Sequence, residues 1–333
     1  MLVSNSGPDV ASRAALRSLM ERLPGMSAVE GSGFLEPVTS SDPPALRSAQ
    51  IVEGTSLRAI RIPAKADSQF GAFLDGAQKV QVVGHHRGMP IVFGTVSAAV
   101  RVRVNRRMIT WGQEPPRVER RIFLPLRYLP ALADLREPPF GSPQSQWQIV
   151  DTSTADRNGD YPSQHPAVLL ERAVRAVDQE RERLEDQLAE AWCARGEAPV
   201  FIDGGISRSA RVASSSCAVG VIKSHRTLYV EDDALRIVLG LEKGERSSVF
   251  RVSPRSRNSV MSWYLRLRDP KGRDAMWGLV RVEVAESERP AGRADEISKW
   301  VMAETNPLSL PDGRWDKMAY GVRDCEEFLR AIS

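Results

Sequence analysis

The chain has 333 residues, 42% hydrophobic and 26% charged, and its 46 Lys and Arg against 42 Asp and Glu give a net charge of +4. That is material for one large or two small domains with a sizeable core, and the longest apolar runs, such as residues 275–280, are too short to span a bilayer. Three scattered cysteines, Cys193, Cys217 and Cys325, argue against a disulfide framework or a zinc knuckle and are expected as buried thiols, while four histidines leave few ways to assemble a His-based metal site or a Ser/His/Asp triad. The N-terminus lacks a basic region followed by an apolar core, so a cytoplasmic location is expected.

Residues 9–23 place Ala11, Ala14, Ala15, Leu16, Leu19 and Met20 near helical spacing, and Pro24-Gly25 ends that helix. Residues 27–44, rich in Gly, Ser and Pro, read as a linker or extended arm. The compact part begins near Ile60, which divides the chain into an N-terminal helix and arm, residues 1–66, and a main domain, residues 67–333. From 70 to 104 the pattern is strand, turn, strand, turn, strand, ending in the unbroken alternation Val100-Arg101-Val102-Arg103-Val104; it predicts a sheet with antiparallel neighbours. Residues 105–165, heavy in Pro and Arg, read as an irregular insertion whose most regular apolar piece is 122–126.

A long helix over about 166–194 carries Leu170, Val174, Val177, Leu184, Leu188 and Trp192 on one face. Asp178, Glu182 and Glu185, at i, i+4 and i+7, form an acidic stripe beside it, either a solvated face or a source of metal ligands. Beyond it the chain predicts strands around 218–223, 248–252, 259–267 and 279–284, and helices over 232–241, 294–303 and 317–331. A mixed sheet flanked by helices, α/β or α+β, follows from this alternation. Trp263 and Tyr264 read as strand core, and His85-His86 as a loop.

Twice an apolar run ends in Asp-Gly: Phe73-Leu74-Asp75-Gly76 and Phe201-Ile202-Asp203-Gly204. Asp-Gly is a common tight-turn dipeptide, and a further apolar run follows each copy, so a hairpin explains both locally. The other reading is two acids at the ends of buried strands, with a helical acid between them in sequence, suited to holding a divalent cation for phosphodiester chemistry. The Arg clusters 101, 103, 106, 107; 117, 120, 121; and 251, 255, 257 suit phosphate contacts or are solvated.

These segments, in order and spacing, resemble the NurA nucleases over most of the chain after about residue 66. The resemblance rests on Phe73-Leu74-Asp75-Gly76, Arg181-Glu182-Arg183-Leu184-Glu185, Phe201-Ile202-Asp203-Gly204-Gly205-Ile206, Gly220-Val221-Ile222-Lys223-Ser224-His225, Gly244-Glu245-Arg246-Ser247, Ser262-Trp263-Tyr264-Leu265-Arg266-Leu267 and Val280-Arg281-Val282-Glu283. It implies a ribonuclease H-like core, related to Piwi-type domains, that degrades DNA with manganese or magnesium. It also implies a homodimer bound to a hexameric HerA-type DNA-translocating ATPase, working in DNA end processing or phage defence. Carried across by residue, Asp75, Glu185 and Asp203 are the catalytic metal ligands, with Glu182 the alternative helical acid. Lys223 contacts a DNA phosphate. Arg208 and Arg246 are the candidate nucleic-acid-binding arginines nearby, Arg246 being either a phosphate contact or a surface residue. Many members carry a His near the C-terminus; this chain has none after His225, and Asp312, Asp316 and Tyr320 stand in the corresponding stretch. A DNA-binding adaptor that keeps the fold without the chemistry is the competing expectation.

Overall fold

The computed structural model describes residues 19–23, 25–28, 44–63, 67–105, 107–112, 116–132, 148–156, 158–253, 257–305 and 317–333. Ten strands lie along its main sheet: β1 (Gln50–Ile51), β2 (Ala72–His86), β3 (Met89–Val104), β4 (Arg117–Leu124), β5 (Gln148–Asp151), β6 (Val200–Asp203), β7 (Ala218–Ile222), β8 (Phe250–Val252), β9 (Val260–Arg266) and β10 (Leu279–Val284). The helices are α1 (Pro166–Arg195), α2 (Ala210–Ala213), α3 (Asp232–Leu239), α4 (Pro290–Glu304) and α5 (Tyr320–Ile332). The strands run in the order β1-β8-β9-β10-β7-β6-β2-β3-β4-β5, so the protein is a large mixed sheet flanked by helices, as the sequence alternation predicts.

Neither Asp-Gly is a hairpin. β2 runs straight through Asp75-Gly76, and its turn into β3 falls at Arg87-Gly88, where φ is +51° and +80°, the paired left-handed conformation of a two-residue hairpin. His85 and His86, expected in a loop, are the last residues of β2. β6 stops at Asp203, Gly204 takes φ +136°, and the next strand, β7, returns parallel to β6. β2 and β6 are also parallel, pairing Phe73 with Phe201 and Leu74 with Ile202.

Alternation along these strands sorts the core. Ala72, Leu74, Val200 and Ile202 face α1, packing against Ala189 and Trp192. Phe73 and Phe201 face the other way, onto Ile297 and Val301 of α4 and Val322 and Cys325 of α5. α1 itself starts where Pro166 occupies its first turn and the His165 ring accepts the Ala167 N–H at 3.2 Å. It ends at Gly196 in the left-handed conformation, φ +64°.

α1 also lies across β3 so closely that Gly94 is needed there: a β-carbon on it would stand 2.6 Å from the Phe123 ring and 2.7 Å from a Val177 methyl. Gly94→Ala is expected to destabilise the fold by about 1–3 kcal/mol, the usual penalty for an extra methyl in a full core. Urea unfolding checks it; an unchanged midpoint would show that α1 yields at that point.

Three expectations change. Residues 105–165 contain β4, an eight-residue strand paired along β3, rather than only irregular chain. Its charges hid it: Glu119 and Arg121 are not on a solvated face but pair with Arg183 and Glu180 of α1. Residues 44–63, assigned to the arm, are stitched into the sheet, β1 on β8 and Ala59–Arg61 on Glu245–Ser247. Of the N-terminal helix, residues 9–18 lie outside the described residues, while Leu19 and Leu23 are buried against Ile91, Ile122 and Leu124. Finally, several of the clustered arginines are struts: Arg101 meets Asp324 at 2.6 Å, Arg103 holds both oxygens of Glu304 at 2.7 Å, and Arg251 meets Glu286 at 2.8 Å.

Candidate metal centre

The β2–β6 register sets the centre. With Leu74 opposite Ile202 in parallel strands, Asp75 and Asp203 occupy the next matched positions and project from the same face, the one covered by α5. From α5, Glu326 completes the group, and one carboxylate oxygen from each of Asp75, Asp203 and Glu326 lies within 4.8 Å of the others. β6 turns away after Asp203 while β2 continues to His86, so the acids stand where two parallel strands part, the crevice at strand C-termini where open α/β sheets bind ligands.

Asp75 is 7% exposed, and its Oδ1 accepts the Gly76 N–H at 2.8 Å. Burial, then the charges of Asp203, Glu185 and Glu326, hold its carboxyl well above the usual range, with Lys223 opposing them. The Lys223 ammonium donates to Asp203 Oδ2 at 2.8 Å, and Lys317 Nζ donates to the Lys223 carbonyl at 3.2 Å. Glu326 is reached by Arg330 of its own helix at 3.5 Å. Three carboxylates crowded onto one face, with oxygen the only donor type, fit a hard divalent cation and do not fit zinc's nitrogen and sulfur preference.

Glu185 stands elsewhere. Gly76 points to the opposite face from Asp75, and a β-carbon there would run into the Glu185 carboxylate and the Arg181 side chain. Glu185 therefore sits beneath β2 on the α1 side, ion-paired to Arg181 and, at 3.4 Å, to Arg208. Burial raises its carboxyl above the ordinary value, and the two guanidinium groups work against that rise. The acidic stripe of α1 is likewise spoken for: Asp178 meets Arg181 at 2.6 Å and Glu182 meets Arg208 at 2.9 Å. It is an ion-pair network, neither a solvated face nor the grouping that converges on Asp75 and Asp203.

A scan of protein-family models and a search of curated proteins find no match to this chain.

The expected site residues thus divide. Asp75, Asp203 and Lys223 come together. Glu185 and Arg208 lie behind the sheet, Arg208 paired with Glu182, Glu185 and Asp186 of α1. Arg246 is corrected outright: it is 1% exposed, held by Glu53 and Asp295 at 2.6 Å each, and presents no surface to a nucleic acid. Asp312 and Asp316 lie outside the described residues, and Tyr320 is exposed at the start of α5. Glu326 was missed; its signal is its place one residue past Cys325 on the flank of the buried stripe Val322, Cys325, Leu329.

Proposed function

We propose that the protein is a divalent-cation-dependent DNA nuclease whose cation is held by Asp75, Asp203 and Glu326. The observation that carries the reading is the convergence of these three carboxylates from two parallel strand ends and a C-terminal helix. The order β4-β3-β2-β6-β7, antiparallel among β2, β3 and β4 and parallel among β2, β6 and β7, supports the ribonuclease H-like core that the NurA resemblance implies. Bound there, manganese or magnesium supplies a Lewis acid for a phosphoryl oxygen and an acidified water as nucleophile. Asp75 and Asp203 fix the cation against rigid backbone, and Glu326 closes the group from α5. Lys223, paired with Asp203, is the residue this reading assigns to a substrate phosphate. A homodimer acting with a HerA-type ATPase belongs to the same reading.

The test uses purified protein, manganese, and labelled single-stranded and blunt duplex DNA. Asp203→Asn and Glu326→Gln are each expected to lower cleavage at least about 100-fold, since even partners outside the metal's own ligand set change affinity 10–100-fold. Circular dichroism confirms that the variants fold. Full cleavage by both folded variants would remove the assignment.

The adaptor reading has one observation of its own: the Lys223 ammonium already neutralises Asp203. Calorimetric titration with manganese separates the two, because an adaptor binds DNA in a salt-sensitive way without taking up the cation.

A further inference from the structure

Cys193 and Cys217 are not the buried thiols expected of them. Cys193 lies in the last turn of α1 and Cys217 directly precedes β7, yet their sulfurs stand 3.8 Å apart and both residues are partly exposed. Cys325, by contrast, is buried on the inner face of α5 against the Phe73 carbonyl. The backbone on either side of the pair is tied down. The Cys217 carbonyl accepts the Val200 N–H at 2.9 Å, the Ser216 carbonyl accepts Arg293 Nη2 at 2.7 Å, and Trp192 Nε1 donates to the Ala198 carbonyl at 2.9 Å.

We propose that Cys193 and Cys217 form a peroxide-sensitive dithiol that closes to an intramolecular disulfide between α1 and β7. The distance to be covered is from 3.8 Å to a bonded length of about 2.05 Å, within the reach of side-chain rotation at two partly exposed cysteines. Their surroundings assign the roles. Ser215 Oγ lies 3.1 Å from the Cys217 sulfur. The hydrogen bond shared with Cys193, aided by Ser215 and the Arg293 charge, lowers the Cys217 thiol, while the same pairing and burial push Cys193 up. Cys217 is the attacking thiolate and Cys193 the resolving thiol.

The chemistry balances with hydrogen peroxide as the oxidant. The Cys217 thiolate attacks one peroxide oxygen, the O–O bond breaks, and a proton taken up by the departing hydroxide leaves Cys217 sulfenic acid and one water. The Cys193 sulfur then attacks the sulfenic sulfur, the S–O bond breaks, and the thiol proton leaves with the hydroxide as a second water. Two thiols are oxidised to one disulfide and one peroxide is reduced to two waters. The bond ties the end of the helix that carries Glu185 to the start of the strand that leads to Lys223.

The test treats the full-length protein with excess hydrogen peroxide, blocks remaining thiols under denaturing conditions and maps peptides by mass spectrometry. Two of the three thiols are expected to disappear, with a linked 193–217 peptide that dithiothreitol releases, and Cys325 unmodified. Cys193→Ser is expected to stop at a sulfenic acid on Cys217 that dimedone traps, and Cys217→Ser to leave Cys193 reduced. Three intact thiols in the wild type, or disulfides only between molecules, would overturn the proposal, and this readout needs no variant to fold.

Discussion

Asp75→Asn is expected to abolish cation-dependent DNA cleavage while making the cation-free protein more stable at neutral pH. The two effects share a cause. Burial and the neighbouring Asp203 raise the Asp75 carboxyl above its ordinary 3.8 in the folded state. The folded chain therefore holds this proton more tightly than the unfolded chain. Below 3.8 the group is protonated in both states and the variant and wild type converge in stability. As pH rises, the unfolded chain ionises first, and the wild type loses stability until the raised folded value is passed. An amide keeps the shape without that loss, and a gain of about 1–2 kcal/mol is the scale of relieving a destabilised functional site. Manganese reverses the ranking: at 100 times its Kd it stabilises the wild type by about 2.7 kcal/mol, and Asp75→Asn forfeits this. Urea unfolding with and without manganese, at pH 7 and below pH 3.8, measures all four values. A variant less stable than wild type at pH 7 in cation-free buffer would show that Asp75 is held by favourable contacts rather than strained by repulsion.

Arg246→Met is expected to cost about 3–5 kcal/mol, because it removes the buried partner of the partly buried Glu53 carboxylate and leaves that charge uncompensated. Glu53 joins the chain before β2 to the β8 side of the sheet: it takes Arg246 through both oxygens, at 2.6 and 3.0 Å, and accepts the Val249 N–H at 2.9 Å. Burial by itself raises this carboxyl, and the Arg246 and Val249 hydrogen bonds outweigh it, so that Glu53 lies below its ordinary 4.5. The stability it contributes is complete above 4.5 and is lost as pH falls through the depressed folded value. In Arg246→Met that acid-side loss is expected to shrink. DNA affinity per folded molecule is expected to stay at the wild-type level, and a specific fall in affinity without loss of stability would restore Arg246 to the nucleic-acid surface.

Much of this was legible in the chain. The α1 stripe of Leu170, Val174, Val177 and Leu184 and the alternation of Val100 to Val104 are strong periodic signals, and both elements form. Asp75 and Asp203 can be paired as strand-end acids: the local pattern leaves the hairpin reading level with that one, the ordered motifs of the resemblance favour ligands, and the parallel β2–β6 pairing excludes the hairpin. β4 was obscured because its inward charges, Glu119 and Arg121, mimic a loop unless the α1 partners are known. Glu185, with Glu182 as its alternative, is the helical acid that the resemblance implies, whereas Glu326 carries no comparable motif. Which side of a sheet a helix covers is set by packing far along the chain, and no local pattern encodes it.

The sheet at Asp75-Gly76 is one backbone thick, with a cation-seeking set of acids above and an arginine-neutralised set below. It acts as a partition between two charged sets: the upper one is met by Lys223 at Asp203 and Arg330 at Glu326, the lower one by Arg181 and Arg208. Arg181 and Arg208 thus serve the upper side without touching it: they offset a carboxylate whose charge is one of those raising Asp75, and so limit what it adds. Since these counter-charges are largely buried, added salt screens them little, and the resting state of the centre is expected to be insulated from the ionic strength that governs any polyanion bound outside it.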